Sequence, residues 1–460
     1  MTERWDAPVF DKRLLLKYDR PGPRYTSYPT APHFHEGISE EDYEAELRGR
    51  PDRPLSLYVH LPFCSSLCYF CACNVIYTKD RSLGEAYVSL LEREVGRIAR
   101  VLPSAGEVMQ LHWGGGTPTT LPAEQLRRLF VILKRTFPMA EGAEIGVELD
   151  PREVTGDHLD VLQECGFNRI SIGIQDFDPK VQEAVHRIQP EEMTRKVFDG
   201  CRERGVESIN VDLIYGLPHQ TAKSFESTVD RILDMNPDRM AVFNFAYLPR
   251  LKPHQRRLPE EALPGPEEKL EILQMVVERF TRAGYLFIGM DHFARPEDEL
   301  ARALKDRTLY RNFQGYTTKA GCDLLGLGVT SIGQVGPLYI QNMRELEPYR
   351  DRVEAGRLPV FRGIRCSGDD LLRRAVITRL MCHFVVHKAE VEKAHGIRFD
   401  ETFEDALRAL APMVEDGLLR LEPDRIEVTA PGRLLVRNIA MAFDAYLGPG
   451  EGEPRYSRTI

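Results

Sequence analysis

The sequence has no apolar run that approaches the roughly 18 residues a membrane-spanning helix requires. Its first residues, MTERWDAPVF, lack the basic and then apolar pattern of a secretory signal. Positive charge is in deficit, because 61 Lys and Arg residues stand against 70 Asp and Glu residues and leave a net charge of −9. A chain of that sign is a poor general binder of the nucleic-acid backbone. We therefore expect a cytoplasmic protein that binds neither membranes nor nucleic acid.

A disulfide framework and sequence repeats are lacking as well. The nine cysteines are odd in number and unevenly spread, unlike those of small secreted domains. No low-complexity tract or repeat with matching side chains occurs. Four cysteines fall within ten residues and need their own explanation, whereas we expect the scattered ones to be small buried apolar side chains: Cys165, Cys201, Cys322, Cys366 and Cys382.

What the sequence does contain is a recurring alternation of short apolar runs and amphipathic stretches. Six runs predict strands: Leu55–Leu61, Val108–Trp113, Ile145–Leu149, Arg169–Ile174, Ile209–Ile214 and Met240–Phe245. Helical spacing between them is clearest over Leu83–Arg100. We interpret the strands as nearly continuous apolar runs, which indicates a parallel sheet covered on both faces. The pattern favours an α/β fold with an incomplete (β/α)6 barrel, and a doubly wound sheet is the alternative.

The regions outside these strands divide the chain further. Residues 1–50 contain PGPRYTSYPTAP (Pro21–Pro32), which is too rich in proline and turn formers for a regular element, and we predict an N-terminal arm or lid. Residues 51–365 hold the barrel and its extension, including a Gly-rich stretch, Leu324–Pro337, that indicates tight backbone packing. The charge-rich segment SEEDYEAELRGRPDRP is predicted to be solvated.

The last part of the chain, residues 366–460, is predicted to be a small, mostly helical domain. It ends in a hairpin at Gly417–Thr429 and a helix at Gly432–Tyr446. Helices followed by a hairpin suit a DNA-binding wing, but such a wing needs a basic face. Because the chain is acidic, we favour a lid or packing role.

The strongest chemical signal is HLPFCSSLCYFCACN, in which Cys64, Cys68 and Cys71 have the spacing C-x3-C-x2-C directly after the first predicted strand. Three thiolates on one short loop can hold three irons of a [4Fe–4S] cluster. Because ferredoxin clusters use four protein cysteines, three leave one iron open to another ligand. Zinc is the alternative, but it normally takes two separated cysteine pairs, and the sequence has no second pair. Barrel enzymes carry their chemistry on such loops, at the carboxyl ends of strands.

This motif, with an aromatic residue before the third cysteine, resembles that of the radical S-adenosylmethionine (SAM) superfamily. There the open iron binds the amino and carboxylate groups of SAM, and the reduced cluster cleaves SAM to a 5′-deoxyadenosyl radical. Cys73 extends the motif, and further stretches are similar to one member family, the oxygen-independent coproporphyrinogen III oxidases: PGPRYTSYPTA, LHWGGGTPT, VELDPRE, GIQDF, NVDLIYGLP, FNFAYLP and GMDHFARPEDELA. The likeness runs from about Tyr18 to the C-terminus.

The resemblance implies roles for individual residues. The cluster ligands would be Cys64, Cys68 and Cys71. A first SAM would contact Tyr58, Gly115, Gly116, Thr117, Glu148, Gln175, Arg187 and Asp212. A second SAM would be bordered by Phe70, Ala246 and Ile332. The catalytic residues would be Tyr58, Cys73 and Arg24.

Elementary chemistry agrees with several of these roles. Glycines after a strand let the backbone approach the methionyl part of SAM, and Glu148 can accept both ribose hydroxyls. The planar fork of Arg187 suits the SAM carboxylate, and Tyr58 can attract the sulfonium through its ring. Taken singly, each of these residues reads equally well as a turn, a surface position or core packing.

The reaction implied is two successive oxidative decarboxylations that turn two propionates of coproporphyrinogen III into vinyl groups and give protoporphyrinogen IX in haem biosynthesis. It would use one [4Fe–4S] cluster, two SAM molecules and a reduced flavodoxin- or ferredoxin-type donor, in a monomer. The substrate carboxylates require a local cationic pocket, for which Arg24 and residues near Arg295 or Arg311 are candidates, with His292 as polar lining. Tyr25 and Tyr28 of the arm are expected to offer aromatic faces to the tetrapyrrole.

Two other functions remain open. A haem-binding chaperone of the related branch shares the barrel and the cluster cysteines, but that branch typically lacks the PGPRYTSYPTA arm and the equivalent of Cys73. A radical SAM methyltransferase acting on haem is a weaker alternative. Product analysis would separate the three.

Overall fold

The computed structural model describes residues 7–447, 456, 458 and 459. Its centre is a twelve-stranded sheet. All six predicted strands belong to it, with the bounds β1 Leu55–Leu61, β2 Val108–Gly115, β3 Met139–Leu149, β4 Arg169–Gln175, β5 Ser208–Tyr215 and β6 Arg239–Asn244. These six lie side by side in chain order and every neighbouring pair is parallel. Since the order never reverses, the doubly wound alternative is wrong and the incomplete barrel is confirmed.

Six further strands extend this sheet at both sides: β7 Leu286–Gly289, β8 His292–Ala294, β9 Asp323–Leu327, β10 Ile332–Val335, β11 Leu338–Asn342 and β12 Val360–Arg365. β9 pairs parallel with β1, and β10, β11 and β12 follow it as antiparallel neighbours. β8 pairs antiparallel with β6 on the other side and carries β7. β12 and β7 are therefore the two edges, and in the described part of the chain they do not pair to close the barrel.

The α-helices lie mostly between the strands, as predicted. Their bounds are Lys12–Tyr18, Glu40–Arg48, Ser82–Val101, Ala123–Thr136, Gly156–Glu164, Pro179–Ala184, Glu191–Glu203, Ala222–Met235, Pro266–Arg282, Glu299–Lys305, Leu346–Glu354, Gly368–His383, Lys388–His395, Phe399–Thr402, Glu404–Glu415 and Val436–Ala440. Within the described residues, no helix is both long and apolar enough to cross a membrane.

The barrel strands are not continuous apolar runs, and that expectation is wrong. In β1, Leu57 and Val59 are fully buried, while Tyr58 between them pairs side by side with His112 of β2. Successive residues of a strand point to opposite faces. The apolar set therefore packs under the helices, and the polar set lines the inside of the barrel.

The segment of residues 19–30 has no helix and no long strand, which agrees with the predicted arm. It is buried against the C-terminal part of the chain. Arg437 donates to the carbonyls of Gly22 and Pro23, and the hydroxyl of Tyr25 donates to Asp444 at 2.9 Å. The arm is therefore held by the other end of the sequence.

The charge-rich segment after the proline-rich stretch contains a helix with one solvated face, on which Glu41 and Arg48 are exposed. Glu40–Arg48 begins with a capping box between Ser39 and Asp42 and buries Tyr43 and Leu47. A cap of this type satisfies the free N–H groups at the start of a helix.

The C-terminal part combines helices with a three-stranded antiparallel sheet of Val385–His387, Arg425–Val428 and Leu419–Leu421. The last two strands form the predicted hairpin. The helix predicted at Gly432–Tyr446 is shorter: only Val436–Ala440 is α-helical, between two 3-10 turns. All five of its residues are buried, so surrounding contacts rather than one amphipathic face determine its length.

Candidate active site

One cavity of about 480 Å³ opens at the carboxyl ends of the barrel strands. Most of the residues implicated by the sequence line it: Cys64, Cys68, Phe70, Cys71, Cys73, Gly115, Gly116, Thr117, Glu148, Gln175, Arg187, Asp212 and Ala246. They come from the loop after β1 and from the ends of the five following strands. Parallel strands bring these distant segments to one edge of the sheet. Three implicated residues, Tyr58, Arg24 and Ile332, lie outside this lining.

The cysteine loop is compact. The N–H of Cys71 donates to the carbonyl of Cys68 at 3.2 Å, and Cys64 Sγ lies 3.6 Å from Thr117 Oγ1. A hydrogen bond between the Cys71 and Cys73 side chains lowers the pKa of Cys71 to about 7. Among the described residues, no three Cys, His, Asp or Glu side chains form a group that could hold a single metal ion.

Two arginines surround the second cysteine. Arg152 and Arg187 direct N–H groups at Cys68 Sγ, at 3.2 and 3.5 Å, and both pair with Asp150. Burial opposes ionisation of Asp150, but Arg187 and Arg152 outweigh it and lower its pKa. Arg187 also donates to the Gly173 carbonyl and to Gln189. The donors of its fork are therefore engaged by protein groups in this structure.

The glycines after β2 form a cradle that side chains would fill. A Cβ on Gly114 would lie 2.6 Å from the Glu148 carboxyl group, and one on Gly116 would lie 2.6 Å from the backbone of Pro62 and Phe63. The Gly115 N–H donates to Glu148 Oε2 at 3.1 Å. The missing side chains let β2 approach both the cysteine loop and Glu148.

Two carboxylates in the cavity have opposite pKa shifts. Burial opposes ionisation of Glu148, but hydrogen bonds from His112 and the Gly115 N–H outweigh it and lower its pKa. Burial raises the pKa of Asp212 to about 6, although Ser171 and Asn210 donate to it at 2.7 and 2.8 Å. Burial therefore opposes the charge of Asp212, whereas the partners of Glu148 favour its charge, and both carboxyl groups line the cavity.

Two buried acceptors in the cavity wall have no hydrogen-bond partner: Gln175 Oε1 and Asn244 Oδ1. Gln175 ends β4 with a left-handed backbone, φ 69°, where the pairing with β5 shifts register. A residue other than glycine in this conformation is strained, and such strain concentrates at functional sites. Unpaired buried oxygens are costly unless a ligand supplies donors, so the wall fits a ligand with donor groups.

Tyr58 and Ile332 do not belong to the cavity lining. The ring of Tyr58 stacks on His112, with centroids 6.2 Å apart, and its hydroxyl bonds to His60 at 3.0 Å. Tyr58 pairs with Gly326 of β9, and a Cβ on Gly326 would lie 2.7 Å from the backbone of Ile332. The Ile332 side chain packs in a separate cluster around Phe34 and Tyr339. Ile332 is thus two strands from Tyr58 and does not line the first cavity.

A second cavity, of about 220 Å³, lies inside the barrel. It shares Glu148, Ser171, Asp212 and Phe243 with the first cavity, so the two are adjacent. His292 at its wall lies 5.9 Å from the ring of Phe243. Burial, together with the charges of Arg311 and Arg24, lowers the pKa of His292 well below its ordinary value. This histidine is therefore neutral at pH 7.

Cationic groups gather beside this inner cavity. The Arg24 guanidinium lies over Phe243 at 5.5 Å and pairs with Asp291, and that of Arg311 lies over Tyr316 at 4.7 Å. Burial and the charges of Arg437 and Arg311 lower the pKa of Arg24 to about 9. Arg311 is only 7% exposed, and its Nε and one terminal nitrogen have no partner.

Arg295, the other cationic candidate, is placed elsewhere. It donates to the carbonyls of Asn236 and Pro237, at the loop that leads into the start of β6. That loop lies at the amino ends of the strands, opposite the cysteine loop. The expectation that Arg295 lines the pocket is wrong, because its guanidinium caps free carbonyls after a helix.

The sequence reasoning missed several residues of the site: His112, Asp150, Arg152, Ser171 and Asn244. His112 and Ser171 could have been found from the sequence, because each is a polar residue that alternates with apolar residues along its strand. Asp150 and Arg152 follow β3 in the quoted stretch VELDPRE, as Asn244 ends β6 in FNFAYLP. Their positions at strand ends, which barrel enzymes use for chemistry, were sufficient to include them.

Comparison with known proteins gives consistent matches over the whole chain. A model described as the Radical SAM superfamily matches residues 58–232, and one described as the HemN C-terminal domain matches residues 366–435. The curated oxygen-independent coproporphyrinogen III oxidase of Pseudomonas aeruginosa is 48% identical over 463 residues, covering 100% of this chain and 99% of that protein. The protein of the same name from Escherichia coli is 47% identical and covers 98% of each chain.

A solved structure supports the same relationship. Coproporphyrinogen III oxidase (HemN) from Escherichia coli, described as a radical SAM enzyme, superposes with a TM-score of 0.92 at 46% identity, covering 96% of this chain and 100% of that one. Identity of this level over the full length, together with the cysteine-lined cavity, shows that the chain belongs to the oxygen-independent coproporphyrinogen III oxidase family of radical SAM enzymes.

Proposed function

We propose that this chain converts two propionate side chains of coproporphyrinogen III to vinyl groups by oxygen-independent oxidative decarboxylation, giving protoporphyrinogen IX in haem biosynthesis. The relatives that carry this name align over the full length. The single structural observation that carries the proposal is the adjacency of two cavities, one at the three-cysteine loop and one beside the buried cations Arg24 and Arg311. A radical generator and a carboxylate-rich substrate need those two features together.

Cys64, Cys68 and Cys71 are the proposed ligands of one [4Fe–4S] cluster, which when bound supplies the electron that cleaves SAM. The donor set fits: three thiols line one cavity, and Arg152 and Arg187 stabilise negative charge on Cys68. Cys73 contributes a hydrogen bond to Cys71 and is proposed to act beside the cluster, not as a ligand.

The cradle of Gly115, Gly116 and Thr117 is proposed to hold SAM through the backbone. Glu148, held ionised, would accept the ribose hydroxyls, and the unpaired oxygen of Gln175 would accept from the amino group. Asp212 completes the acidic wall. Arg187 acts here as a positioning residue, because its donors hold Asp150 and the end of β4.

A second SAM molecule is proposed near Phe70 and Ala246, which line the cavity, with Ile332 and Tyr58 on its far side. Two propionates need two radicals, so two SAM molecules should be consumed per protoporphyrinogen formed. An Ile332→Asp variant, which places a charge in a partly buried apolar cluster, should lower turnover. A coupled ratio near one SAM per product under strict exclusion of oxygen would overturn this part of the proposal.

The substrate carboxylates are proposed to bind Arg24 and Arg311. Two nitrogens of Arg311 are buried without acceptors, and a buried unpaired cation is costly. A propionate carboxylate of the substrate would supply the missing acceptors. A planar guanidinium suits a carboxylate because it can donate two parallel hydrogen bonds to it. His292, kept neutral, donates or accepts without adding charge.

The remaining parts of the proposal concern context. We propose a cytoplasmic monomer, reduced by a flavodoxin- or ferredoxin-type protein, with an arm at 1–50, a barrel with its extension at 51–365 and a C-terminal domain at 366–460. Size-exclusion chromatography of the reconstituted enzyme tests the monomer. Limited proteolysis with cleavage near residues 50 and 366 tests the division.

The deciding experiment is anaerobic incubation of the reconstituted protein with SAM, dithionite and coproporphyrinogen III. We expect protoporphyrinogen IX, released CO₂, methionine and 5′-deoxyadenosine. The Cys64→Ser variant is the matched control and should form none of them. Tight haem binding without decarboxylation would instead identify a chaperone.

A further inference from the structure

A basic segment, Arg250–Arg257, covers the outer side of the cysteine loop. Lys252 donates to the carbonyl of Cys73 at 2.9 Å, and His254 bonds to the carbonyl of Cys71 at 2.7 Å. Gln255, buried beneath them, donates to the carbonyl of Phe70 at 3.0 Å. The segment is therefore fastened directly to the backbone that carries the proposed cluster ligands.

The charge of this segment is opposite to that of the chain. Its eight residues, RLKPHQRR, contain four Arg or Lys side chains and one His, and residues 246–259 include no Asp or Glu, although the whole chain carries −9. Arg250, Arg256 and Arg257 are exposed. Arg257 also lies over the ring of Tyr69, 5.4 Å away, on the cysteine loop. A local basic patch on an acidic protein attracts acidic partners to one place.

Exposed apolar side chains accompany the charge. Leu251, between Arg250 and Lys252, is 73% exposed, and Ile188 is 57% exposed. Two residues before Ile188, His186 bonds to the Leu67 carbonyl and stacks on Tyr69, so this second segment is also fastened to the cysteine loop. Large apolar side chains exposed among cations are typical of a docking surface.

We propose that Arg250–Arg257, with Ile188, is the docking surface for a small acidic electron-transfer protein that reduces the cluster. The inference rests on the proposed function, because it requires a cluster on Cys64, Cys68 and Cys71. Electron transfer slows steeply with distance, so the donor must approach the cysteine loop from outside. The segment contacts that loop through Lys252 and His254, at the carbonyls of Cys73 and Cys71, whereas the cavity is the place of SAM and substrate.

The test uses the reconstituted full chain with two reductants, a reduced acidic flavodoxin and dithionite. The Arg250→Glu/Arg256→Glu double variant should raise the flavodoxin concentration for half-maximal 5′-deoxyadenosine formation at least ~10-fold and flatten its dependence on salt. The rate with dithionite should stay within about 2-fold of the wild type, because a small reductant needs no docking surface. Leu251→Ser should raise the same flavodoxin concentration several-fold.

The control variants carry the same types of substitution at exposed residues near the amino ends of the barrel strands. Arg100 and Lys134 are exposed in the last turns of helices Ser82–Val101 and Ala123–Thr136, which lead back to the amino ends of the strands. Arg100→Glu/Lys134→Glu and Val131→Ser should leave both rates unchanged. A reduced ferredoxin in a parallel arm tests whether the surface serves acidic donors in general.

The outcomes separate the two proposals. If the double variant and the control double variant show the same flavodoxin dependence, the docking surface is wrong. If dithionite produces no SAM cleavage in the wild type, the proposed function fails, whatever the surface does. Loss of iron from the double variant, measured before the assay, would show that Arg250 and Arg256 support the loop itself and would also overturn the docking role.

Discussion

The guanidinium of Arg24 lies 5.5 Å over the ring of Phe243, which lines both cavities of the barrel. A segment without regular structure thus reaches the carboxyl end of β6 and contacts a residue of the cavity wall. Its tyrosines do not share this position: Tyr25 and Tyr28 are buried, and their hydroxyls bond to Asp444 and to the N–H of Ala445. The expectation that both offer aromatic faces to the substrate is therefore wrong, and the contribution of the arm to the cavity comes through Arg24.

Replacing Arg311 tests the cationic pocket. The Arg311→Met variant keeps the volume and removes the charge, so KM for coproporphyrinogen III should rise about 10- to 100-fold, from the loss of about 1.5–3 kcal/mol of charged hydrogen bonding. The free energy of unfolding without substrate should not fall, because two buried nitrogens of Arg311 lack partners. SAM affinity and iron content should be unchanged.

Arg295→Met is the matched control for this experiment. It loses the bonds to the Asn236 and Pro237 carbonyls, so it should lower stability by about 1 kcal/mol without changing KM. Equal KM values for the Arg311 variant and the wild type would contradict carboxylate binding at Arg311.

The cysteine loop gives a direct test of cluster ligation. Serine at Cys64, Cys68 or Cys71 should remove most of the iron and the brown absorbance, because a lost thiolate ligand opens the cluster to solvent. Cys73→Ser should keep the iron but slow turnover. The control is Cys322→Ser, a half-buried cysteine that does not line the cavity. Complete loss of iron from Cys73→Ser would refute the assignment of three ligands.

The glycine cradle can be filled with one methyl group. In Gly116→Ala, the new Cβ would meet backbone atoms of Pro62 and Phe63 at 2.6 Å, and backbone cannot move aside cheaply. We expect a loss of about 1–3 kcal/mol in the free energy of unfolding, together with weaker SAM binding by calorimetry. Gly96→Ala, with nothing within 4 Å of its Cβ, should instead gain about 0.5–1 kcal/mol as a helix substitution. Unchanged SAM affinity in Gly116→Ala would contradict the cradle.

The buried carboxyl group of Glu94 should make the free energy of unfolding depend on pH. It is fully buried, accepts bonds from Tyr349, Asn342 and the Gly328 N–H, and burial raises its pKa from 4.5 to about 7. The folded protein therefore binds more protons than the unfolded chain between these values, so the free energy of unfolding falls as pH rises through this range. The loss amounts to about 3 kcal/mol and persists at higher pH.

Glu94→Gln removes this titration. Urea unfolding at pH 5 and pH 8 should show that the wild type loses about 3 kcal/mol more between the two pH values than the variant does. All other titrating groups cancel in this difference. Equal pH dependence of the two proteins would show that Glu94 does not carry the effect.

Local order along the sequence was sufficient for much of the fold. The six strands, the parallel barrel and the cysteine loop follow from periodicity and spacing in the sequence. Each of these patterns lies within a short stretch of the chain, about the length of one strand or helix. The same holds for Gly115, Gly116 and Glu148, which stand at strand ends that parallel pairing must bring together. Position at a strand end therefore predicted most of the cavity lining.

Other features depend on pairs that are far apart in the chain. Arg24 meets Asp291 across 267 positions, Arg295 turns to the amino ends of the strands, and Ile332 packs with Phe34. A side chain with several rotatable bonds can satisfy its charge with any partner that packing brings near, and no local pattern records which one. The sequence by itself determined the barrel, the family and the cysteine loop, whereas the tertiary structure decided which charges are paired and which, like that of Arg311, are buried with unpaired donors.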